Sequence, residues 1–467
     1  MSRLRQPAFT VQRLRNVRRK VLTILWDPHE ADRPQSDRAA VEAAVLGATD
    51  SVRAYFLENS DGQFTIDSAG VVGWFDSDRA PGEYWPPGGA GRDSGREAIR
   101  KASATFDFAA WDADGDGHVD PAELGVLFIR PGEAGEGGGL NRVVGEDFTT
   151  RDTAQGITVD GKEIGWIAEV SIGIPPAHGI VAHELAHLLI GLGDMYFDDF
   201  FNPAAASQYS LMDQHGGGWH FDPFAKLKAG WLHPRVVHRT GTFDLPDVET
   251  NHVALVFLRP RRAIPEYFLV ENRWPGTTFD ERLFDQGVAV WHIIEDPTIF
   301  DAYPPPHVTA AQWHDLGSGA GGWSRKAIRM VRPNQEDPID DGESLWDGSD
   351  PATGYDLLSV DPDPTHSTLR WADGSPSGFA IRNLGPAGPV VSLTVEVGAA
   401  GGAIVPHVRF LPRSIAANLV THSGLVPVFG GPGGPGTPWV FSQAPAGGVV
   451  ATPGSKVTMQ LRTGPVP

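Results

Sequence analysis

The chain has 467 residues, which is enough for two to four domains that each bury their own core, and no apolar run approaches the ~20 residues that a membrane span needs. It contains no cysteine, which excludes disulfide bonds and thiolate metal sites. A formal net charge of -20 argues against nucleic acid or an anionic membrane surface as partner, because both attract clustered Lys and Arg.

The N-terminal part of the chain is predicted to form an α/β layer. Residues 21–26 read as a buried strand, and apolar residues at helical spacing over 38–56 predict a helix after it. Further strands are expected at Thr65 and over 71–75, and strand, helix and strand at this spacing are typical of α/β folds. The basic residues 1–20 precede an apolar run that is too short for a signal peptide, so the sequence as written shows no secretion signal.

Residues 112–123 match the twelve-residue calcium loop of an EF-hand at each key position. The expected calcium ligands are Asp112, Asp114, Asp116, the carbonyl group of His118, Asp120 and Glu123. The alternative interpretation is a solvated acidic turn. A helix is expected before the loop, over 96–108, and a strand after it, over 124–129. We therefore expect a structural Ca²⁺ site and not a sensor, since a sensor EF-hand opens a pair of helices.

The stretch 181–196, Val-Ala-His-Glu-Leu-Ala-His-Leu-Leu-Ile-Gly-Leu-Gly-Asp-Met-Tyr, combines metal-ligand spacing with a candidate general base. His183 and His187 are four residues apart, so on a helix their rings lie on one face and can share one metal ion. Glu184 lies near enough to accept a proton from a water that Zn²⁺ activates. His-Glu-x-x-His is the spacing of a zincin active site, although the motif alone also arises by chance.

Two features after this motif bear on the same site. The helix is expected to end at the glycines of residues 191–193, and the turn there can return Asp194 to the metal as a third ligand. Asp198 and Asp199 are within reach of the same turn and remain alternatives. Met212, about 25 residues after the second histidine, is interpreted as the floor of a Met-turn beneath the ligands, with an ordinary core position as the alternative.

Several segments in the right order resemble the M6 metallopeptidases, the family that includes the immune inhibitor A proteases. The similar segments are residues 51–64, 112–123, 181–196, 210–212, 225–231, 267–273 and 287–293, and the resemblance covers about residues 20–398. It implies a secreted bacterial zinc endopeptidase of metzincin type, with the ligand and base roles given above. In one respect the chain departs from the family, because Ile190 stands where a glycine is usual, and Gly191 and Asp194 come one residue later.

Beyond the motif the chain is predicted to be mainly β. Residues 239–399 alternate strands with Gly and Pro turns, the pattern of a β-sandwich. Glu271, His292 and Asp296 are interpreted as polar members of its strands and loops and not as site residues. After a glycine-rich hinge, residues 403–467 resemble a PASTA domain, mainly through 443–447 and 453–457. Such domains are extracellular and often associated with cell-wall muropeptides.

The sequence therefore predicts an α/β (α+β) chain of three domains. They are a zincin- or metzincin-like catalytic domain with a calcium loop over 1–238, a β-sandwich over 239–399 and a small α+β PASTA-like domain over 403–467. The predicted function is a zinc-dependent endopeptidase with catalytic Zn²⁺ and structural Ca²⁺, secreted or held at the cell surface. Protein or peptide substrates and cell-wall material are the expected partners. The alternative is an inactive or latent surface module that keeps the metal site as scaffold.

Overall fold

The computed structural model has a mixed α/β fold with several sheets and few helices, as predicted for the class. The described residues are 14–27, 37–78, 93–131, 157–172, 178–192, 209–213, 219–259, 266–276, 279–281, 283–294, 328–331, 345–348, 369, 371, 377–398, 403–406, 408–422, 425–431, 438–447, 450–451 and 454–463. Among these residues, no helix has both the length and the apolar character needed to cross a membrane.

Four parallel strands form the first sheet, in the order β2-β1-β3-β6. They are β1 (Val17–Asp27), β2 (Phe64–Asp76), β3 (Gly125–Pro131) and β6 (Ala168–Ile172). The second half of β1 is buried without interruption, because other elements cover both faces of this central strand. The two strands expected at Thr65 and over 71–75 are parts of the single strand β2.

Helices pack on both faces of this sheet. The described ones are α1 (Arg38–Leu46), α2 (Val52–Asn59), α3 (Asp93–Ala102) and α4 (His178–Ile190). Val21 and Leu25 of β1 belong to the core shared with α1, α2 and α4. Leu22 and Trp26 point to the opposite face, where they share a second core with α3. The alternation of apolar side chains along one strand thus joins two helical layers.

The helix predicted over 38–56 is two helices, separated at residues 47–51. The hydroxyl group of Ser51 donates to the carbonyl oxygen of Gly47 at 2.7 Å and accepts from the backbone N–H of Ala54 at 3.1 Å. Ser51 therefore holds the turn that follows α1 and caps the N-terminus of α2. The apolar periodicity does not reveal this break between the two helices. The helix predicted over 96–108 also ends early, at Ala102, and a short 3-10 turn follows at Phe108–Trp111.

A two-sheet unit follows the first sheet. The larger sheet has the order β12-β11-β10-β9-β7 and the smaller one the order β13-β14-β8. Their strands are β7 (His233–Val236), β8 (Gly241–Pro246), β9 (Val253–Leu258), β10 (Glu266–Arg273), β11 (Gly287–Ile294), β12 (Ile328–Val331), β13 (Phe379–Arg382) and β14 (Val390–Val397). Phe257 and Val270 of the larger sheet share one buried cluster with Leu245 and Leu393 of the smaller sheet. The two sheets therefore enclose a common core.

Smaller elements complete the described chain. The hairpin strands β4 (Ile157–Val159) and β5 (Lys162–Ile164) lie beside α3, and helices α5 (Pro223–Ala229) and α6 (Val248–Asn251) lie next to the two-sheet unit. The C-terminal part contains helix α7 (Arg413–His422) and strands β15 (Ala403–Ile404), β16 (Val426–Gly430), β17 (Trp439–Ala444), β18 (Val450–Ala451) and β19 (Lys456–Arg462). Its own core includes Val420, Val440 and Met459, so this part buries a hydrophobic cluster of its own.

Candidate metal centre

The helix α4 carries the His-Glu-x-x-His motif on the first sheet. Leu185 and Ala186 are fully buried in the core of that sheet, which fixes the opposite side of the helix. Gly125 of β3 allows a close approach, because a Cβ atom at this position would lie 2.7 Å from the Cδ2 atom of Leu189. The helix is therefore seated tightly on β3, and its polar side chains have defined positions.

Ile190 is the last residue of this helix. It is 3% exposed and belongs to the same buried core, so it takes part in the packing of the helix on the first sheet. The helix then ends at Gly191, whose φ of 81° lies in the left-handed region that favours glycine. The end of the helix falls at the first of the predicted glycines.

Both motif histidines donate their Nδ1 hydrogens to backbone carbonyl groups. Nδ1 of His183 lies 2.8 Å from the carbonyl oxygen of Leu211, and Nδ1 of His187 lies 2.6 Å from that of Leu192. A carbonyl oxygen can only accept, so each Nδ1 carries the hydrogen, and the lone pair of each neutral ring is on Nε2. A backbone carbonyl is the usual partner of the second nitrogen of a metal-binding histidine.

The Nε2 atoms of the two histidines lie close together. The Nε2 atoms of His183 and His187 are 3.0 Å apart, and the rings are nearly perpendicular, at 88°. Two acceptors at this distance repel each other unless a cation or a proton lies between them. Two nitrogen ligands at about 2.0–2.1 Å from one tetrahedral Zn²⁺ are roughly 3.3 Å apart, so this pair fits a zinc ion.

Glu184 completes the cluster of potential ligand atoms. One of its carboxylate oxygens lies 3.6 Å from Nε2 of His183, and the ligand atoms of the three motif residues all lie within 4.8 Å of one another. Glu184 is 3% exposed. A carboxylate at this distance could transfer protons at a metal ion bound by the histidines.

A further acidic residue, Glu169 of β6, lies near this cluster and was not singled out from the sequence. Burial raises the pKa of its carboxyl group to about 8, Arg130 opposes this shift, and the charge of Glu184 adds to it. The guanidinium Nε of Arg130 is 3.4 Å from the Glu169 carboxylate. Nothing in the spacing of the sequence indicates this residue, because the packing of β6 against the motif helix brings it there.

The segment 209–213 provides the carbonyl group that accepts a hydrogen bond from His183. Met212 lies within it, is 1% exposed, and belongs to the core that also contains Ala186 of the motif helix. The backbone N–H of Met212 donates to the hydroxyl group of Ser210 at 3.2 Å. Asp194, Asp198 and Asp199, the candidates for a third ligand, lie outside the described residues.

The acidic loop 112–123 folds back on itself through hydrogen bonds between its carboxylates and its own backbone. The carboxylates of Asp112, Asp114 and Asp116 come within 4.8 Å of one another, and Asp112 accepts from the N–H groups of Gly115 and Gly117 at 2.9 and 3.1 Å. His118 and Asp120 lie in the second half of the same loop. Glu123 reaches back and accepts from the N–H of Ala113 at 2.7 Å. The expected side-chain ligands are thus oriented by the loop's own backbone.

The hairpin β4–β5 pairs with this loop, which the sequence did not indicate. The N–H of Val119 donates to the carbonyl oxygen of Glu163, and the N–H of Glu163 donates to that of Gly117, both at 2.9 Å. Next to it, the ammonium group of Lys162 lies 2.5 Å from Asp112. This hydrogen bond is the main reason why the pKa of the Asp112 carboxyl lies below its ordinary value.

The polar residues of the two-sheet unit are paired inside it. Glu271 accepts from the guanidinium of Arg273 at 3.3 Å and from the indole N–H of Trp291 at 3.2 Å. His292 lies 2.7 Å from a carboxylate oxygen of Glu266. Asp296 is outside the described residues.

These features define a class: a mixed α/β protein with a largely buried cluster of two histidines and one carboxylate on a helix and a separate acidic loop. The chain matches no protein-family model and no curated protein sequence. The chemistry proposed for the site therefore rests on the geometry of its residues.

Proposed function

We propose that the protein is a zinc-dependent endopeptidase with a metzincin-like active site, similar to the M6 metallopeptidases. The observation that carries the proposal is the arrangement of His183 and His187. Both Nδ1 hydrogens are donated to backbone carbonyls, and the two Nε2 atoms lie 3.0 Å apart. A carboxylate oxygen of Glu184 lies 3.6 Å from Nε2 of His183.

Each residue has a defined task in this proposal. The two Nε2 atoms would hold a Zn²⁺ ion, and this ion would supply the Lewis acidity that activates a water molecule and polarises the carbonyl group of the scissile peptide bond. Glu184 accepts the proton of the attacking water and donates it to the nitrogen of the leaving amine. The burial of His183 and Glu184 keeps bulk water from competing with these transfers. Asp194 is proposed as the third ligand and Met212 as the Met-turn residue.

The acidic loop is proposed to bind a structural Ca²⁺. Its ligands are the carboxylates of Asp112, Asp114, Asp116, Asp120 and Glu123 and the carbonyl oxygen of His118. The loop joins β3 of the first sheet to the hairpin β4–β5, so a bound ion would tie these elements together. Lys162 partly neutralises the loop and is released from Asp112 when the ion binds.

The rest of the chain supports an extracellular role. The two-sheet unit is proposed to be a β-sandwich, and residues 403–467 a PASTA-like domain that associates with the cell wall. This last segment contains four basic residues, Arg409, Arg413, Lys456 and Arg462, and no Asp or Glu, although the whole chain has a net charge of -20. Its positive charge favours an anionic polymer as partner.

A direct experiment tests the activity. The purified protein is assayed for zinc content and for casein cleavage, with calcium in excess, before and after treatment with a zinc chelator. We expect about one zinc per chain and cleavage that the chelator removes and added zinc restores. Glu184→Gln serves as the matched variant, because it keeps the size of the side chain and loses the base. It should retain zinc and lose at least about 100-fold in turnover.

The inactive surface module is the outcome that would replace this proposal. If the wild type and Glu184→Gln both bind zinc and neither cleaves any unfolded substrate, the site is inactive or latent. Proteolysis that persists in a clean preparation of Glu184→Gln would reject the mechanism. Binding of the 403–467 segment to cell walls would then become the function to examine.

A further inference from the structure

The orientation of His183 depends on a segment that lies outside the motif helix. Its Nδ1 hydrogen is donated to the carbonyl oxygen of Leu211, at 2.8 Å, and this contact sets the direction in which Nε2 points. Groups that hold the second nitrogen of a metal-binding histidine influence metal affinity strongly. Whatever fixes the position of Leu211 therefore also fixes this half of the metal centre.

Leu211 is held from both sides. On one side, Nη1 of Arg273 donates to the carbonyl oxygen of Tyr209 at 3.1 Å. On the other, the hydroxyl of Ser210 donates to Asp222 at 2.8 Å and accepts from the N–H of Met212 at 3.2 Å. The carbonyl group of Leu211 thus lies between anchored neighbours and cannot turn without breaking these bonds.

Arg273 belongs to strand β10 of the two-sheet unit and has little freedom. Its side chain is fully buried, and its Nε and Nη2 atoms lie 2.8 and 2.5 Å from the same oxygen of Asp280. Burial disfavours the charged form of Asp280, but Arg273 outweighs this effect and holds the pKa of the carboxyl well below its ordinary value. A buried guanidinium that moved would leave both charges unpaired, so the ion pair keeps the contact to Tyr209 in place.

The same cluster is tied to the first sheet's helices. The N–H of His220 donates to the second oxygen of Asp280 at 3.0 Å. The ring of His220 lies 2.7 Å from Glu58 at the end of α2 and 2.9 Å from the ammonium group of Lys226 in α5. The network therefore extends without interruption from α2 to β10, and the 209–213 segment lies between them.

We propose that Arg273 of the two-sheet unit is a positioning residue for His183, acting through Tyr209 and Leu211. The inference rests on the proposed zinc site in that the positioned ring is one of its ligands. It goes beyond that proposal because it makes strand β10 part of the active centre. The two-sheet unit is then required for metal binding itself and is more than an appended domain.

Zinc affinity tests this proposal. It is measured by competition with a chromogenic chelator in the full-length wild type and in Arg273→Met. The matched control is Arg259→Met, because Arg259 also donates to backbone carbonyls, those of Ser377 and Gly378, but contacts no described residue of the 209–213 segment. We expect zinc binding about 10–100-fold weaker in Arg273→Met and unchanged within about twofold in Arg259→Met. Wild-type affinity in folded Arg273→Met would overturn the proposal.

A second measurement does not depend on zinc. In the metal-free protein, the proton on Nδ1 of His183 is protected by its bond to Leu211 and should give a slowly exchanging imidazole resonance in NMR spectra. The signal is expected in the wild type and in Arg259→Met and should be lost or fast-exchanging in Arg273→Met. If Arg273→Met does not fold, Arg273→Lys carries the test, since its single amine cannot bond Asp280 and Tyr209 with the same geometry.

The two proposals can fail separately. A wild type that binds no zinc rejects the proposed peptidase, whereas the His183 resonance still decides whether Arg273 positions the ring. A wild type that binds zinc, together with folded Arg273 variants that keep both the affinity and the resonance, rejects the positioning role and leaves the peptidase intact.

Discussion

The hydroxyl group of Ser210 donates a 2.8 Å hydrogen bond to the carboxylate of Asp222, which is itself the N-cap of helix α5. Ser210 and Asp222 are both fully buried. Removing the hydroxyl leaves a buried carboxylate with one partner fewer, so Ser210→Ala should lower the free energy of unfolding by about 1–3 kcal/mol. Urea denaturation followed by tryptophan fluorescence measures this change.

The control for this prediction is Ser103→Ala. The hydroxyl group of Ser103 donates to the backbone carbonyl of Arg100 in an exposed position, so its removal should change stability by less than about 0.5 kcal/mol. Equal effects of the two substitutions would mean that the bond to Asp222 contributes nothing specific.

Met212 should tolerate a change of shape better than a loss of volume. Met212→Leu conserves the volume and should cost less than about 1.5 kcal/mol, whereas Met212→Ala leaves a cavity in the core and should cost about 2–5 kcal/mol. Met459→Ala, in the fully buried core of the C-terminal part, should cost a similar amount without affecting zinc content. If Met212→Ala and Met459→Ala both lose zinc, the loss would reflect general unfolding and not the proposed Met-turn role of Met212.

Calcium should stabilise the protein through the acidic loop. Because an ion that binds only the folded state raises stability by mass action, millimolar calcium should raise the melting temperature of the wild type. Glu123→Gln removes a ligand and should abolish most of this shift. Asp107→Asn makes the same change of charge just outside the loop, at the N-cap of the 3-10 turn, and should leave the shift intact. A shift retained in Glu123→Gln would contradict the assignment of this loop.

Glu271 should make stability depend on pH. Burial raises the pKa of its carboxyl to about 7, against the opposing charges of Arg273 and Lys226, whereas the ordinary value is 4.5. Between these two pH values the folded protein keeps a proton on Glu271 that the unfolded chain releases. The stabilisation that results from this difference is complete below pH 4.5 and is lost as the pH rises through about 7. Glu271→Gln should flatten the decline in unfolding free energy between these pH values. An unchanged decline, measured by urea titrations at each pH, would contradict this assignment.

The sequence predicted those elements that are determined by local patterns. The buried strand β1, the strand after the acidic loop and the end of the motif helix at Gly191 follow from apolar runs and from glycine's access to positive φ. The break between α1 and α2 was missed because a single side chain, Ser51, decides it by hydrogen bonding. Such a bond leaves no trace in hydrophobic periodicity.

The supports of the candidate site could not be predicted for a different reason. The spacing of His183, Glu184 and His187 is readable because one helix carries all three. Leu211 and Arg273 act on His183 from distant parts of the chain, through a backbone carbonyl and a buried ion pair. Residue type gives no sign of such contacts, since any residue has a carbonyl group and arginine is common.

The contact between Arg273 and Tyr209 can form only late in the synthesis of the chain. Arg273 follows the motif by about 90 residues, and at ~5–20 residues per second a ribosome needs roughly 5 to 20 seconds to add them. During that interval both histidines have been made, but the ion pair that holds the segment supporting His183 has not. The support that we propose for His183 is therefore absent until Arg273 has been added, so the order of residues along the chain delays the completion of the candidate metal centre.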